Sequence, residues 1–179
     1  VATAIYDGTD AVMLSAETAI GLYPKESVEM MNKIIEKVET DPLYFNINEV
    51  RHVKAEPTAE DALTESAKYV ARIVSAKAVV TYTTSGSTAL RAARERPDVP
   101  ILGISPNLNT ARRLALVWGV HCVHTKDAKN FKDMVLKAGR LAKKEKFASI
   151  GDRVVITAGV PFGHSGATNV LRIASVDRY

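Results

Sequence analysis

The 179-residue sequence carries a single cysteine, Cys122, which excludes an internal disulfide framework and fits a reducing compartment such as the cytoplasm. No apolar run is long enough to span a bilayer, and no stretch has the pattern of a signal peptide. Aromatic residues make up only 6% of the chain and are not interleaved with the basic ones, as a single-strand nucleic-acid binder requires. No three spaced glycines follow the first strand of the alternating helix–strand region, so a dinucleotide fingerprint is absent. The one glycine-bearing loop there has no lysine, which excludes a nucleotide P-loop. No nucleophile–base pair stands out, and independent hydrolase chemistry is disfavoured.

What is present is ordinary for a folded chain. Apolar residues form 46% and charged residues 25% of the sequence, enough to build a sizeable core, and the length suits one domain or one domain plus part of another. The net charge of +4 is concentrated between Lys126 and Lys146. Those lysines fall mostly on one side of an expected helix, which reads as a solvated face rather than a nucleic-acid surface.

Residues 1–6 look like the end of a helix, and Asp7, Gly8, Thr9 and Asp10 signal a turn. The apolar run 11–15 (AVMLS) is of the kind a buried parallel strand shows. Pro24 opens a helix with Val28, Met31, Ile34, Ile35 and Val38 on one stripe, and Asp41-Pro42 ends it. Residues 43–57 are polar and without steady period, and read as a connection with a boundary near Asn46 to Pro57.

From Thr58 the pattern alternates. A helix capped by Thr58 has Leu63, Ala67, Val70, Ile73 and Val74 as its expected buried stripe. Strands are expected at 78–82, 99–104, 120–123 and 153–157, with a final strand at 168–176 lying antiparallel at an edge. Helices between them end before Pro97, run from Asn109 to Trp118, and cover 130–146. The expected fold is α/β: a three-layer α/β/α sheet, mostly parallel with an antiparallel edge strand.

The stretch 79–91 (VVTYTTSGSTALR) is a strand, a tight loop and the first turn of a helix. Thr83, Thr84, Ser85, Ser87 and Thr88 place five hydroxyls within six positions, and Gly86 lets the backbone bend. The unpaired N–H groups of the helix start and its dipole add partial positive charge, a setting that suits a phosphate. Helix capping also uses serine and threonine, although one hydroxyl is enough for a cap. The loop 159–166, with Gly163, His164, Ser165 and Gly166, is either a plain hairpin connection or a second phosphate-friendly loop at the same sheet edge. His121, Cys122 and His124 invite a metal reading, but in a strand the two histidines point to opposite faces and two ligands do not make a zinc site, so no metal is expected.

Two sets of residues together resemble pyruvate kinase. Residues 7–19 (DGTDAVMLSAETA), with Gly21, Tyr23 and Pro24, are similar to the last strand and loop of that family's catalytic (β/α)8 barrel, Ala16 standing where many members carry glycine. Residues 83–91, 109–112 (NTAR) and 166–169 (GATN) are similar to its C-terminal regulatory domain. The resemblance implies three regions: 1–45 from the end of the barrel, 46–57 as the connection, and 58–179 as the regulatory α/β domain. It implies an enzyme that moves a phosphoryl group from phosphoenolpyruvate to ADP with magnesium and potassium, whose main catalytic and metal-binding residues are not in this chain. On that resemblance Ser15 lies at the barrel mouth and contributes to the active site or supports it, and the chain alone is inactive. Thr83, Thr84, Ser85, Gly86, Ser87 and Thr88 would hold the phosphate of an allosteric effector, with residues 163–166 folding over it. The family's bisphosphate-gripping Trp and Arg are not matched in 127–144, so a sugar monophosphate or AMP is the expected effector of a cytoplasmic homotetramer. The rival expectations are an oligomerisation domain with a vestigial site, or a stand-alone phosphosugar-binding module.

Overall fold

The structure, a computed structural model, describes residues 1–50, 55–161 and 168–177. The chain packs as two compact units, Val1–Val53 and Lys54–Tyr179.

The first unit is helical. α1 (Ala2–Tyr6) and α2 (Ala16–Ala19) precede α3 (Pro24–Glu39), which starts on proline, where the missing N–H costs nothing. Residues 11–15 do not form the expected strand: strand pairing needs a neighbouring backbone, and among the described residues none is paired with them. The expected stripe of α3 packs best towards its C-terminal end, where Ile34, Ile35 and Val38 meet Ile5 and Tyr44; Met31 is half-buried and Val28 is exposed. A further helix, α4 (Pro42–Val50), occupies part of the stretch in which the sequence shows no period. Asp41 explains its start, since its carboxylate accepts hydrogen bonds from the Leu43 N–H (2.9 Å) and the Tyr6 hydroxyl (2.7 Å), and Tyr44 is buried one turn later.

The second unit is a five-stranded sheet in the order β3-β2-β1-β4-β5, built from β1 (Ala78–Tyr82), β2 (Ile101–Ser105), β3 (Val120–His124), β4 (Arg153–Ala158) and β5 (Val170–Ser175). The pairs β1–β2, β2–β3 and β1–β4 are parallel, and β5 lies antiparallel at the edge against β4, so the expected architecture is the observed one. The central strands are buried from end to end, as a sheet covered on both faces requires. Ala78, Val80 and Tyr82 pack with Met134, Ala138 and Leu141 of α8 (Phe131–Lys144) on one face. On the other face Val79 and Val155 meet Ala67 and Ala71 of α5 (Ala59–Ile73), and Ile101 meets Ala92 and Ala93 of α6 (Ser87–Arg94).

The caps show how local chemistry sets the elements. Thr58 accepts from the Asp61 N–H at 3.3 Å, as expected. α7 (Leu108–Leu114) is capped by Asn107, not Asn109: the Asn107 side chain accepts from the N–H groups of Asn109 and Thr110, and the helix ends four residues before Trp118. The buried stripe of α5 is also rotated from the expected one, running through Asp61, Thr64, Ala67, Lys68 and Ala71, with Ile73 outside. Alanines at the contact let the helix approach the sheet closely, and an ion network holds Asp61 inward. On α8 one lysine leaves the solvated face: Lys137 is buried and donates to the Lys126 and Asp127 carbonyls at 2.7 and 2.9 Å.

Candidate functional site

The carboxyl ends of β1 and β4 are neighbours in the sheet, yet the chain leaves them in different directions: from β1 into α6 on the way to β2, and from β4 towards β5. Such a switch point leaves a crevice at the strand ends, where ligands of open α/β sheets bind. The hydroxyl loop follows β1 at this place.

Gly86 adopts a left-handed conformation, φ 100°, as the residue preceding α6, a backbone state that strains any residue with a Cβ. The first bond of the helix ladder runs from the Leu90 N–H to the Gly86 carbonyl, so the N–H groups of Ser87, Thr88 and Ala89 precede the ladder. The five hydroxyls then divide. Thr83 is buried and its hydroxyl accepts from the Gly86 N–H at 2.9 Å, which forms the turn. Thr88 is buried and shares a 2.8 Å hydrogen bond with the Thr168 hydroxyl. Thr84 and Ser85 are exposed and Ser87 half-exposed, with the Ser85 and Ser87 hydroxyls 3.2 Å apart. The Thr84 carbonyl accepts from the Thr110 hydroxyl at 2.9 Å, which pins the loop to α7. Two of the hydroxyls therefore build the loop, and three face outward.

Gly163, His164, Ser165 and Gly166 lie outside the described residues. The base of their loop is described. The Asn169 side chain accepts from the Val160 N–H at 2.9 Å and donates to the Val160 carbonyl at 2.7 Å, closing the loop like a clasp. Through the Thr88–Thr168 bond that base is tied to the first turn of α6.

Ser15 is exposed just before α2; its N–H donates to the Glu17 carboxylate at 3.1 Å and its side chain caps nothing. His121 meets Glu145 at 3.0 Å and packs edge-on against Phe147, whereas His124 meets the Pro106 carbonyl, so the structure gives the two histidines separate partners. Burial pushes the Cys122 thiol up, away from a reactive thiolate.

Residues 61–174 match the family model described as pyruvate kinase, alpha/beta domain, and residues 1–28 match pyruvate kinase, barrel domain. The chain belongs to the pyruvate kinase family. A pyruvate kinase of Methylorubrum extorquens is 50% identical over 99% of this chain and 37% of its own length. One from Agrobacterium vitis is 44% identical over 98% of this chain and 36% of its own. The crystal structure of a pyruvate kinase from Cryptosporidium parvum superposes with a TM-score of 0.86 at 29% identity, over 98% of this chain and 35% of that one. The chain thus spans about a third of the length of these pyruvate kinases and corresponds to their C-terminal part.

The pyruvate kinase alpha/beta match contains the hydroxyl loop, α6, Thr110 and Thr168, and the barrel match contains Ser15. Three features of this pyruvate kinase domain escaped the sequence reading. Thr81 and Thr157 are register partners on β1 and β4, wholly buried, and their hydroxyls have no hydrogen-bond partner among the described residues. Thr88 and Thr168 meet across 80 positions of sequence. Asp61, in the first turn of α5, anchors two arginines of α6. Each is a long-range pairing, and no local signal carries it.

Proposed function

We propose that this chain works as the C-terminal part of a pyruvate kinase, the whole enzyme transferring phosphoryl from phosphoenolpyruvate to ADP with magnesium and potassium. In that reading the α/β unit binds a phosphorylated effector and makes contacts of a cytoplasmic homotetramer, and the chain alone is inactive. The observation that carries the effector reading is the trio Thr84, Ser85 and Ser87, presented beside the leading N–H groups of α6 at the sheet's switch point. Thr83, Gly86 and Thr88 then shape the cradle, and residues 163–166 fold over the ligand. The bond from Thr88 to Thr168 supports this, because it connects the phosphate-facing turn with the base of that loop. With no Trp and Arg matched for a second phosphate, the fitting effector is a sugar monophosphate or AMP.

An effector regulates only by binding one conformation better than another, and a coupling of ~1–3 kcal/mol changes substrate affinity from several-fold to about a hundredfold. Titration calorimetry of the full-length enzyme with ribose 5-phosphate, glucose 6-phosphate and AMP tests the reading. One of the three should bind, and Thr84→Ala with Ser85→Ala and Ser87→Ala should weaken it at least about tenfold, roughly the worth of one or two charge-assisted hydrogen bonds. No heat from any of the three, with substrate kinetics unchanged by them, favours the rival reading of an assembly domain with a vestigial site.

A further inference from the structure

Asp61 sits in the first turn of α5 with only 1% of its surface exposed, and its two oxygens serve three partners. Oδ1 accepts from Arg91 Nε at 2.8 Å; Oδ2 accepts from Arg94 Nη2 at 2.8 Å and from the backbone N–H of Glu56 at 2.9 Å. Arg94 also donates to Glu95, itself fully buried, from Nε at 3.1 Å and Nη2 at 2.9 Å. The four side chains balance in charge; the two carboxylates are buried while the two guanidinium groups are partly exposed, and loss of an arginine leaves a buried carboxylate less compensated. Arg91 and Arg94 belong to α6, the helix whose first turn borders the hydroxyl loop, and Glu56 belongs to the segment by which the chain enters the α/β unit.

We propose that Asp61 is a positioning residue that locks α6 to residues 55–58, so that a shift of the α6 first turn is passed to the segment by which the chain enters the α/β unit. The physical route is contiguous: a rigid helix of eight residues, two guanidinium groups, one buried carboxylate and one backbone N–H. The lock itself stands on this geometry. Its use as a relay rests on the effector reading above.

Hydrogen-exchange mass spectrometry of the full-length protein separates the two. Arg94→Gln should speed exchange in residues 55–58 about tenfold along with α6, although 33 positions separate Arg94 from Asp61. Arg72→Gln, which breaks the exposed pair of the same α5 with Asp98, should leave residues 55–58 unchanged. An unchanged 55–58 in Arg94→Gln overturns the lock, and so does equal loosening by Arg72→Gln, which would mean a general softening of α5. Inorganic phosphate is the probe for the relay. In the unaltered protein it should slow exchange in both α6 and residues 55–58, and in Asp61→Asn in α6 alone. Slowing confined to α6 in the unaltered protein overturns the relay while leaving the effector site standing. No slowing at α6 sinks the effector reading, with the relay, and leaves the lock to the arginine variants.

Discussion

The two units solve the burial problem differently. In Lys54–Tyr179 the central strands have helices on both faces, and Val79, Val80, Ile101, Leu102, Val155 and Ile156 are sealed from water. In Val1–Val53 a small core of Ile5, Val38 and Tyr44 is closed, while Met13, Ile20 and Leu22 stand 81 to 89% exposed with Tyr23 beside them. The difference shows that the α/β unit carries its own cohesion, whereas the helical unit presents apolar surface of the kind that marks contact with further protein.

The largest effect should come from the sealed sheet. Ile156→Ala removes a side chain packed against α8 and should cost about 2–5 kcal/mol in a urea melt, since a core this enclosed relaxes poorly into the cavity. A loss well under that range would mean the two units are equally loose, and the contrast would fail.

Next comes acid. Burial by itself would raise the Asp61 carboxyl, but the hydrogen bond from the Glu56 N–H and the guanidinium groups of Arg94 and Arg91 outweigh it, and the group is held below its ordinary 3.8. A depressed carboxylate contributes stability that is fully present above the unfolded value and is lost as pH falls through the folded one. The α/β unit should therefore lose stability below about pH 4, and Asp61→Asn should flatten that limb while lowering stability at neutral pH. Asp41 of the helical unit, lowered by its hydrogen bond from Tyr6, loses its contribution in the same direction, so the change produced by Asp61→Asn is read as the difference between the variant's acid limb and the unaltered one.

A smaller effect has the opposite sign. Thr81→Val replaces a buried hydroxyl that finds no partner among the described residues with a methyl of similar volume, and should raise stability by about 1 kcal/mol. A loss of that size would place a bridging water between Thr81 and Thr157. Smallest of all is Leu22→Ser, which should stay within about 0.5 kcal/mol because Leu22 is 89% exposed. A larger loss, seen in the full-length protein, would show that further protein covers this side of the helical unit.

The α/β unit was legible wherever structure is local. Strands at 78–82 and 153–157 were evident from β-branched runs, and the start of α5 from Thr58, because propensity and capping act within a few residues. The helix at Pro42–Val50 was not, since Tyr44 becomes helical surface only by packing on Ile5 and Val38. The exposed and buried hydroxyls of 83–88 also look alike in sequence. Only the fold turns Thr83 to Gly86 and Thr88 to Thr168, and leaves Thr84, Ser85 and Ser87 outward.

By itself the sequence determined the alternation of helix and strand, the antiparallel final strand and the clustering of hydroxyls after β1, because each is written in neighbouring residues. Tertiary structure decided which hydroxyls face solvent, which stripe of α5 is buried, and that one carboxylate in α5 holds two arginines of α6. The reason is distance along the chain: a hydrogen bond or ion pair between residues 30 to 80 positions apart exists only once the sheet has brought its ends together.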